Sequence, residues 1–236
     1  MAKELKFYHP EFEQAVRDEL VISDRAITDE DALNVFDLDC SGFTFDRRDY
    51  ETLSAFKNLD WLTINTRAVE LEFLNELPLL EELNLEIQDD NTVDFNCFSR
   101  LSHLRELVVS GGDVSSVDYN NLEGLVELKN LESLTLHEFG TVDLRPLRRM
   151  PWLKCLYCGY ANDVRDIDAI ATLCNLEVLT LIGVEMDNLD FLDKFPDSLY
   201  IGLSEIRVKQ GIDQSKLSRF TEGEFEEIEA LFCQEK

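Results

Sequence analysis

Leu80-Glu81-Glu82-Leu83-Asn84-Leu85 has the form LxxLxL, and the same phrase returns along the chain. It recurs as Leu59-Asp60-Trp61-Leu62-Thr63-Ile64, Leu104-Arg105-Glu106-Leu107-Val108-Val109 and Leu131-Glu132-Ser133-Leu134-Thr135-Leu136. Two more copies are Leu153-Lys154-Cys155-Leu156-Tyr157-Cys158 and Leu176-Glu177-Val178-Leu179-Thr180-Leu181. Looser copies bracket the set: Leu33-Asn34-Val35-Phe36-Asp37-Leu38 before it and Ser198-Leu199-Tyr200-Ile201-Gly202-Leu203 after it. Successive first positions lie 26, 21, 24, 27, 22, 23 and 22 residues apart. A period in the twenties built on this phrase marks a stacked-coil solenoid.

The physics of one copy explains the spacing. The last two apolar positions, such as Leu83 and Leu85, are two residues apart, so on a strand they share one face while Glu82, Asn84 and Glu86 take the other. One such strand cannot bury its apolar face alone, and stacked coils bury it jointly. The chain must then return behind the sheet. Those returns carry anchors three and four residues apart (Phe73, Leu74, Leu77; Leu144, Leu147, Met150; Ile167, Ile170, Leu173), the spacing of short helical or 3₁₀ turns. The fold expected is an α/β solenoid, a leucine-rich-repeat horseshoe with a parallel concave sheet. Residues 1–32 read as a helical N-terminal cap, 33–204 as a solenoid of about eight strands, and 205–236 as a C-terminal cap ending in a helix.

Several function classes are disfavoured by composition. The 236 residues hold 49 acidic against 22 basic side chains, a formal charge of −27. The excess is spread along the chain, and such a surface repels phosphate backbones and anionic membranes. Neither nucleic acid nor a membrane is an expected partner. Met1-Ala2-Lys3-Glu4-Leu5-Lys6-Phe7 lacks the apolar region of an export signal, and no apolar run is long enough to span a bilayer. The six cysteines are scattered among repeat positions rather than framed for bridging, which fits reduced thiols and a cytoplasmic location.

Pro10 suits the first turn of a helix whose Phe12, Ala15, Val16 and Leu20 share a face. Thr28 with Asp31 three residues on reads as a capping box opening a short helix. The stretch Phe7-Tyr8-His9-Pro10-Glu11-Phe12, with Ala15-Val16-Arg17, Leu20, Ile27-Thr28 and Leu33, resembles the helical cap of internalin-type bacterial repeat proteins. The repeats that follow resemble that family's class of roughly 22 residues, so the likeness runs from residue 7 to about 204. It implies a bacterial source and a curved domain that binds protein on its concave side. The chain departs from the family at the position three past each last strand leucine, where asparagine is usual. Here stand Ser41, Arg67, Gln88, Gly112, Phe139, Ala161 and Val184, so irregular turns are expected, with protrusions near Gly42–Asp49 and Val114–Gly124. After Leu203, Glu205-Ile206-Arg207-Val208 reads as a further edge strand and residues 209–219 as loop. Thr221-Glu222-Gly223-Glu224 then reads as a capping box opening a helix through Phe232.

Chemistry-bearing constellations are sparse. Cys155-Leu156-Tyr157-Cys158 matches C-x-x-C, but on a strand the two thiols face opposite sides and no histidine completes a ligand set. No metal or cofactor is expected. His137 projects from the sheet with Ser110 and Gly159 beside it and no acid partner, so no catalytic residues are assigned and an enzyme is not expected. What remains is the grid of outward strand positions. Its first half is Val35, Asp37, Asp39; Trp61, Thr63, Asn65; Glu82, Asn84, Glu86; and Glu106, Val108, Ser110. The second half is Ser133, Thr135, His137; Cys155, Tyr157, Gly159; Val178, Thr180, Ile182; and Tyr200, Gly202, Ser204. Five carboxylates lie in the first half and no lysine or arginine occupies the grid. The second half is neutral, with Tyr157, Val178, Ile182 and Tyr200 as apolar or aromatic anchors. The expectation is a non-enzymatic module that binds a polypeptide bearing a basic segment on this face. The alternative is a structural or regulatory subunit that associates through its C-terminal helix or convex side.

Overall fold

A computed structural model of the chain describes residues 2–67, 71–88, 93–111, 119, 121–220, 224–226 and 229–230. Each phrase becomes a parallel strand because its alternating leucines have one buried side to fill. The strands are β1 (Asp37–Phe45), β2 (Trp61–Thr66), β3 (Glu82–Ile87), β4 (Glu106–Ser110), β5 (Ser133–Asp143), β6 (Cys155–Arg165), β7 (Val178–Ile182), β8 (Glu185–Met186) and β9 (Tyr200–Ser204). The main sheet is open, and its strands follow chain order from β1 through β7 to β9. Pairing is in phrase register, Leu83 beside Leu107, Leu107 beside Leu134, Leu134 beside Leu156. The inward pairs Leu83 and Leu85, Leu107 and Val109, and Leu134 and Leu136 are buried. Among the described residues, six 3₁₀ helices run behind the sheet: Leu71–Glu76, Phe95–Arg100, Leu122–Glu127, Arg145–Arg149, Ile167–Thr172 and Asp190–Lys194. Leu74, Leu77, Leu144, Leu147, Met150, Ile170 and Leu173 face the core from these returns, as their spacing requires.

The N-terminal end is sealed by α1 (Pro10–Leu20), which buries Phe12 and Val16, and by α2 (Asp29–Ala32) with the Thr28–Asp31 capping box. A third helix, α3 (Arg47–Leu53), takes the place of a 3₁₀ turn in the first coil and has its own box between Asp46 and Asp49. Asp49 is fully buried, and its Oδ2 lies 2.7 Å from His9 Nδ1. The Thr52 hydroxyl donates to the Lys6 carbonyl at 2.7 Å, so α3 ties the incoming chain to the first coil.

The structure corrects the sequence reading at three places. The first repeat is Val35-Phe36-Asp37-Leu38-Asp39-Cys40, two residues later than the literal LxxLxL match. Asp37 pairs with Trp61 and Asp39 with Thr63, the amides of Asp60 and Trp61 donate to the Phe36 carbonyl, Val35 is buried and Leu33 is 43% exposed. A two-residue slip preserves the alternation along the strand, so Asp37 and Asp39 still point outward, while Val35 and Phe36, now ahead of the strand, become buried and exposed respectively. Second, the helix expected from Thr221 to Phe232 is not formed where the structure describes that stretch. Glu224–Glu226 is instead a strand, β11, paired parallel to β9 as a ninth member of the main sheet. Third, residues 209–219 contain a short helix, α4 (Gln214–Ser218), with Leu217 buried. The edge strand expected near Glu205 is β10 (Arg207–Val208). It sits between β8 and β12 (Glu229–Ala230) in a second, three-stranded sheet. The protrusion expected at Val114–Gly124 falls mostly outside the described residues. The one at Gly42–Asp49 is a register break in β1 between Cys40 and Thr44, followed by α3.

The missing asparagines are replaced in two ways. Asn58, Asn130 and Asn175, each just before a phrase, donate to the carbonyls of Leu33, Ser102 and Pro151 in the preceding coil, at 2.7 to 2.8 Å. His103 occupies the equivalent place against the Pro78 carbonyl. On the exit side, Phe139, Val184 and Ile206 are buried where the family places asparagine, and the residue before each has a positive φ: Glu138 (51°), Gly183 (62°) and Glu205 (52°). Tyr160 repeats that conformation at φ 53°. The turns of the second half are therefore regular, built on an apolar ladder rather than an amide one.

Candidate functional site

Registers across the sheet place the outward residues in three rows. The first runs Asp37, Trp61, Glu82, Glu106, Ser133, Cys155, Val178, Tyr200, and the second Asp39, Thr63, Asn84, Val108, Thr135, Tyr157, Thr180, Gly202. The third runs Asn65, Glu86, Ser110, His137, Gly159, Ile182, Ser204. Every outward residue singled out from the sequence thus shares one face, except Val35, which the corrected register buries. Neighbours within a row lie one strand spacing apart, about 4.8 Å. The face therefore offers contiguous surface rather than isolated side chains.

Its two halves differ physically. In the first, Asp37, Glu82 and Glu106 lie in one row with Asp60 at its margin. Burial, and then the nearby Asp37 carboxylate, push the Asp60 carboxyl above its ordinary value. Asn84 donates to the Thr63 hydroxyl at 3.2 Å, so polar groups link adjacent strands there. In the second half the Tyr157 ring lies across Gly159, where an added Cβ would sit 2.7 Å from a ring carbon. The His137 ring centroid is 5.7 Å from that of Tyr157 and 5.2 Å from that of Tyr160, edge-to-face with the latter. Burial raises the Tyr157 phenol above its usual range, with Tyr160 the next cause.

Sequence reasoning missed three side chains here. Glu138 Oε2 lies 3.6 Å from His137 Nδ1 and accepts from the Ser110 hydroxyl at 3.4 Å, so His137 does have an acid neighbour. Tyr160 donates to Glu205 Oε1 at 3.2 Å. All three residues occupy the left-handed position after a strand phrase, where alternation no longer predicts facing. Their signal was positional: each stands two residues beyond the last inward residue of its phrase. The Ser110–Glu138–His137 contacts put the carboxylate between hydroxyl and imidazole. A nucleophilic triad needs the imidazole in the middle.

Cys158 is buried and Cys155 partly exposed on the opposite face, as strand alternation requires. Away from the sheet face, His9, Asp46 and Asp49 bring ligand-type atoms within 4.8 Å of one another. That group is engaged internally, because Asp49 Oδ2 also accepts from the Asp46 amide at 2.9 Å and closes the α3 box. No helix among the described residues is long and apolar enough to cross a membrane.

This architecture, a single-layer parallel sheet backed by 3₁₀ returns and closed by a helical cap, is the leucine-rich-repeat fold. Solved structures bear it out. An internalin of Listeria monocytogenes (inlF) superposes with a TM-score of 0.71 at 18% identity, over 95% of this chain and 64% of the internalin's. Internalin C2 of the same species gives 0.64 at 18% identity, covering 94% of both chains. The ectodomain of the Arabidopsis receptor kinase HAESA, solved with a peptide hormone ligand and a co-receptor, gives 0.58 at 17% identity over 83% of this chain and 35% of its own. No family model matches the sequence, and no curated protein does.

Proposed function

We propose that the chain is a non-enzymatic, cytoplasmic protein-interaction module of bacterial type that binds a polypeptide across its sheet face. The observation carrying this reading is the composition of the three rows: acidic in the first half, aromatic and apolar in the second, with no lysine or arginine in any of them. Exposed apolar and aromatic surface on an otherwise charged protein marks contact sites. The HAESA complex with its peptide hormone gives the fold a precedent for peptide binding.

The two halves then do different work on a partner with a basic segment. Asp37, Asp39, Glu82, Glu86 and Glu106 attract it, raising the association rate in a salt-sensitive way. Tyr157, with Val178 and Ile182 on the flanking strand, desolvates an apolar residue and slows dissociation. For a partner captured from the native host, Glu82→Lys with Glu86→Lys is expected to slow association, most at low salt. Tyr157→Ala is expected to speed dissociation with little salt dependence. Unchanged rates in both variants, together with loss of binding on deleting residues 220–236, would move the site to the C-terminal region.

A further inference from the structure

We propose that the second half of the sheet face carries a dedicated cup for one arginine side chain of the partner, built from His137, Tyr157 and Tyr160 with Glu138 and Glu205 at its ends. This rests on the sheet-face reading and specifies the residue that Tyr157 meets, an arginine. Its methylenes supply the apolar contact and its guanidinium meets the rings and the two carboxylates, a contact that is salt-sensitive where a purely apolar one is not. Three independent features converge. First, the rings form a cluster on solvent-facing surface rather than in the core, with centroid separations of 5.7 and 5.2 Å, and Tyr160 is 43% exposed.

Second, the backbone is shaped to hold those rings. Gly159 leaves the space Tyr157 fills, and an added Cβ at Gly183 would sit 2.9 Å from the Tyr160 ring. Tyr160 sits at φ 53°, the turn conformation it shares with Glu138, Gly183 and Glu205, and this repeated turn brings Glu138, Tyr160 and Glu205 to the same edge of the sheet face. Third, the two carboxylates lack a lysine or arginine partner among the described residues. Elsewhere acids near a basic side chain pair with it, as Asp31 with Arg25 and Asp166 with Arg148. Among the described residues, Glu138 meets only His137 as a basic group and Glu205 meets none within ion-pair distance.

Ring faces attract cations through their quadrupole, and carboxylates beside them supply the counter-charge. A guanidinium fits better than an ammonium. It is planar, stacks on a tyrosine, is weakly hydrated and has donors on several edges to meet two separated carboxylates. Such a cup also fits the absence of this chain's own lysine or arginine from the three rows.

The test uses N-acetyl-arginine amide, its uncharged isostere N-acetyl-citrulline amide and N-acetyl-lysine amide, titrated into the full chain and followed by NMR on the aromatic and Glu side-chain resonances. Shifts are expected at Tyr157, Tyr160 and His137, with arginine bound at least fivefold more tightly than citrulline or lysine. Glu205→Gln is expected to weaken arginine binding at least fivefold while the thermal midpoint stays put. Tyr160→Gly, which suits the left-handed backbone, is expected to weaken it similarly. Equal binding of arginine and citrulline, or of arginine and lysine, overturns the proposal, as does mapping of the shifts to Asp37 and Glu82. If the cup fails while Glu82→Lys with Glu86→Lys still slows partner association, the sheet-face reading survives without it.

Discussion

At the residue scale, two glycines show how backbone packing sets tolerance. Gly124 lies where the 3₁₀ helix Leu122–Glu127 crosses its neighbour, and an added Cβ would come within 1.9 Å of the Phe95 carbonyl oxygen. That atom is backbone and cannot swing away, so Gly124→Ala is expected to cost about 1–3 kcal/mol or more by overpacking. Gly42, by contrast, has nothing within 4 Å of the place a β-carbon would take, and Gly42→Ala should be within about 1 kcal/mol of neutral. Urea melts of the two variants, compared with wild type, measure this difference directly; equal losses would refute it. The thiols form a second residue-level contrast. Burial raises the Cys40 and Cys158 thiols to about 12, whereas Cys174 is exposed. A thiol reagent at neutral pH should modify Cys174 rapidly and leave Cys40 and Cys158 until the chain unfolds, when all six cysteines react. Early modification of Cys158 would mean that the inward face of β6 opens in the native state. The glycine contrast was not legible from one sequence, since a glycine looks alike in tight and open surroundings, whereas strand alternation already set Cys155 and Cys158 on opposite faces.

At the element scale, α1, α2 and the strands were readable because burial imposes a period and caps impose a residue type. Two elements misled for physical reasons. Leu33, Phe36 and Leu38 satisfy the repeat phrase literally, and a two-residue slip preserves alternation, so only the end of α2 and the carbonyl ladder from Phe36 decide the register. Thr221 to Glu224 has the local form of a helix start, yet the open edge of β9 offers backbone partners that Glu224–Glu226 takes up as β11. Glu138, Tyr160 and Glu205 escaped because each turns left-handed beyond the last strand leucine. The cap also gives a pH prediction. The guanidinium of Arg25 holds Asp31 well below the usual carboxylate range, and Arg48 holds Asp46 at about 2. Folded values lie below the unfolded value of about 3.9, so this stabilisation is complete above that pH and is lost as pH falls from about 4 through 2. Protonating the many other acids relieves repulsion and acts in the opposite sense, so the informative quantity is a difference. Between about pH 4.5 and about pH 2.5, wild type should lose more urea stability than Asp31→Asn. Parallel curves would mean the Arg25 pair adds nothing, as exposed pairs sometimes do.

At the scale of the whole molecule, the fold is a line of coils, each touching only its neighbours, so stability is a sum of coil and interface terms. Leu83, Leu107 and Leu134 are fully or almost fully buried, and each packs between two other coils with its register partner on either side. Truncating one leaves a cavity that flanking coils cannot fill without breaking their own ladders. Each Leu→Ala change is therefore expected to cost about 2–5 kcal/mol. A terminal position differs in kind, because the C-terminal neighbour of β9 is β11, only three residues long, which pairs with Gly202, Leu203 and Ser204 and starts one residue beyond Ile201. Ile201→Ala should release its end of the sheet first, lowering hydrogen-exchange protection in β9 and β10 while β3 to β6 keep theirs. Leu107→Ala should lower protection across the central strands together. Urea melts with losses below about 0.5 kcal/mol at all three central leucines would contradict the stacking register. Uniform loss of protection in Ile201→Ala would mean the solenoid unfolds as one unit, with no preference for its C-terminal end.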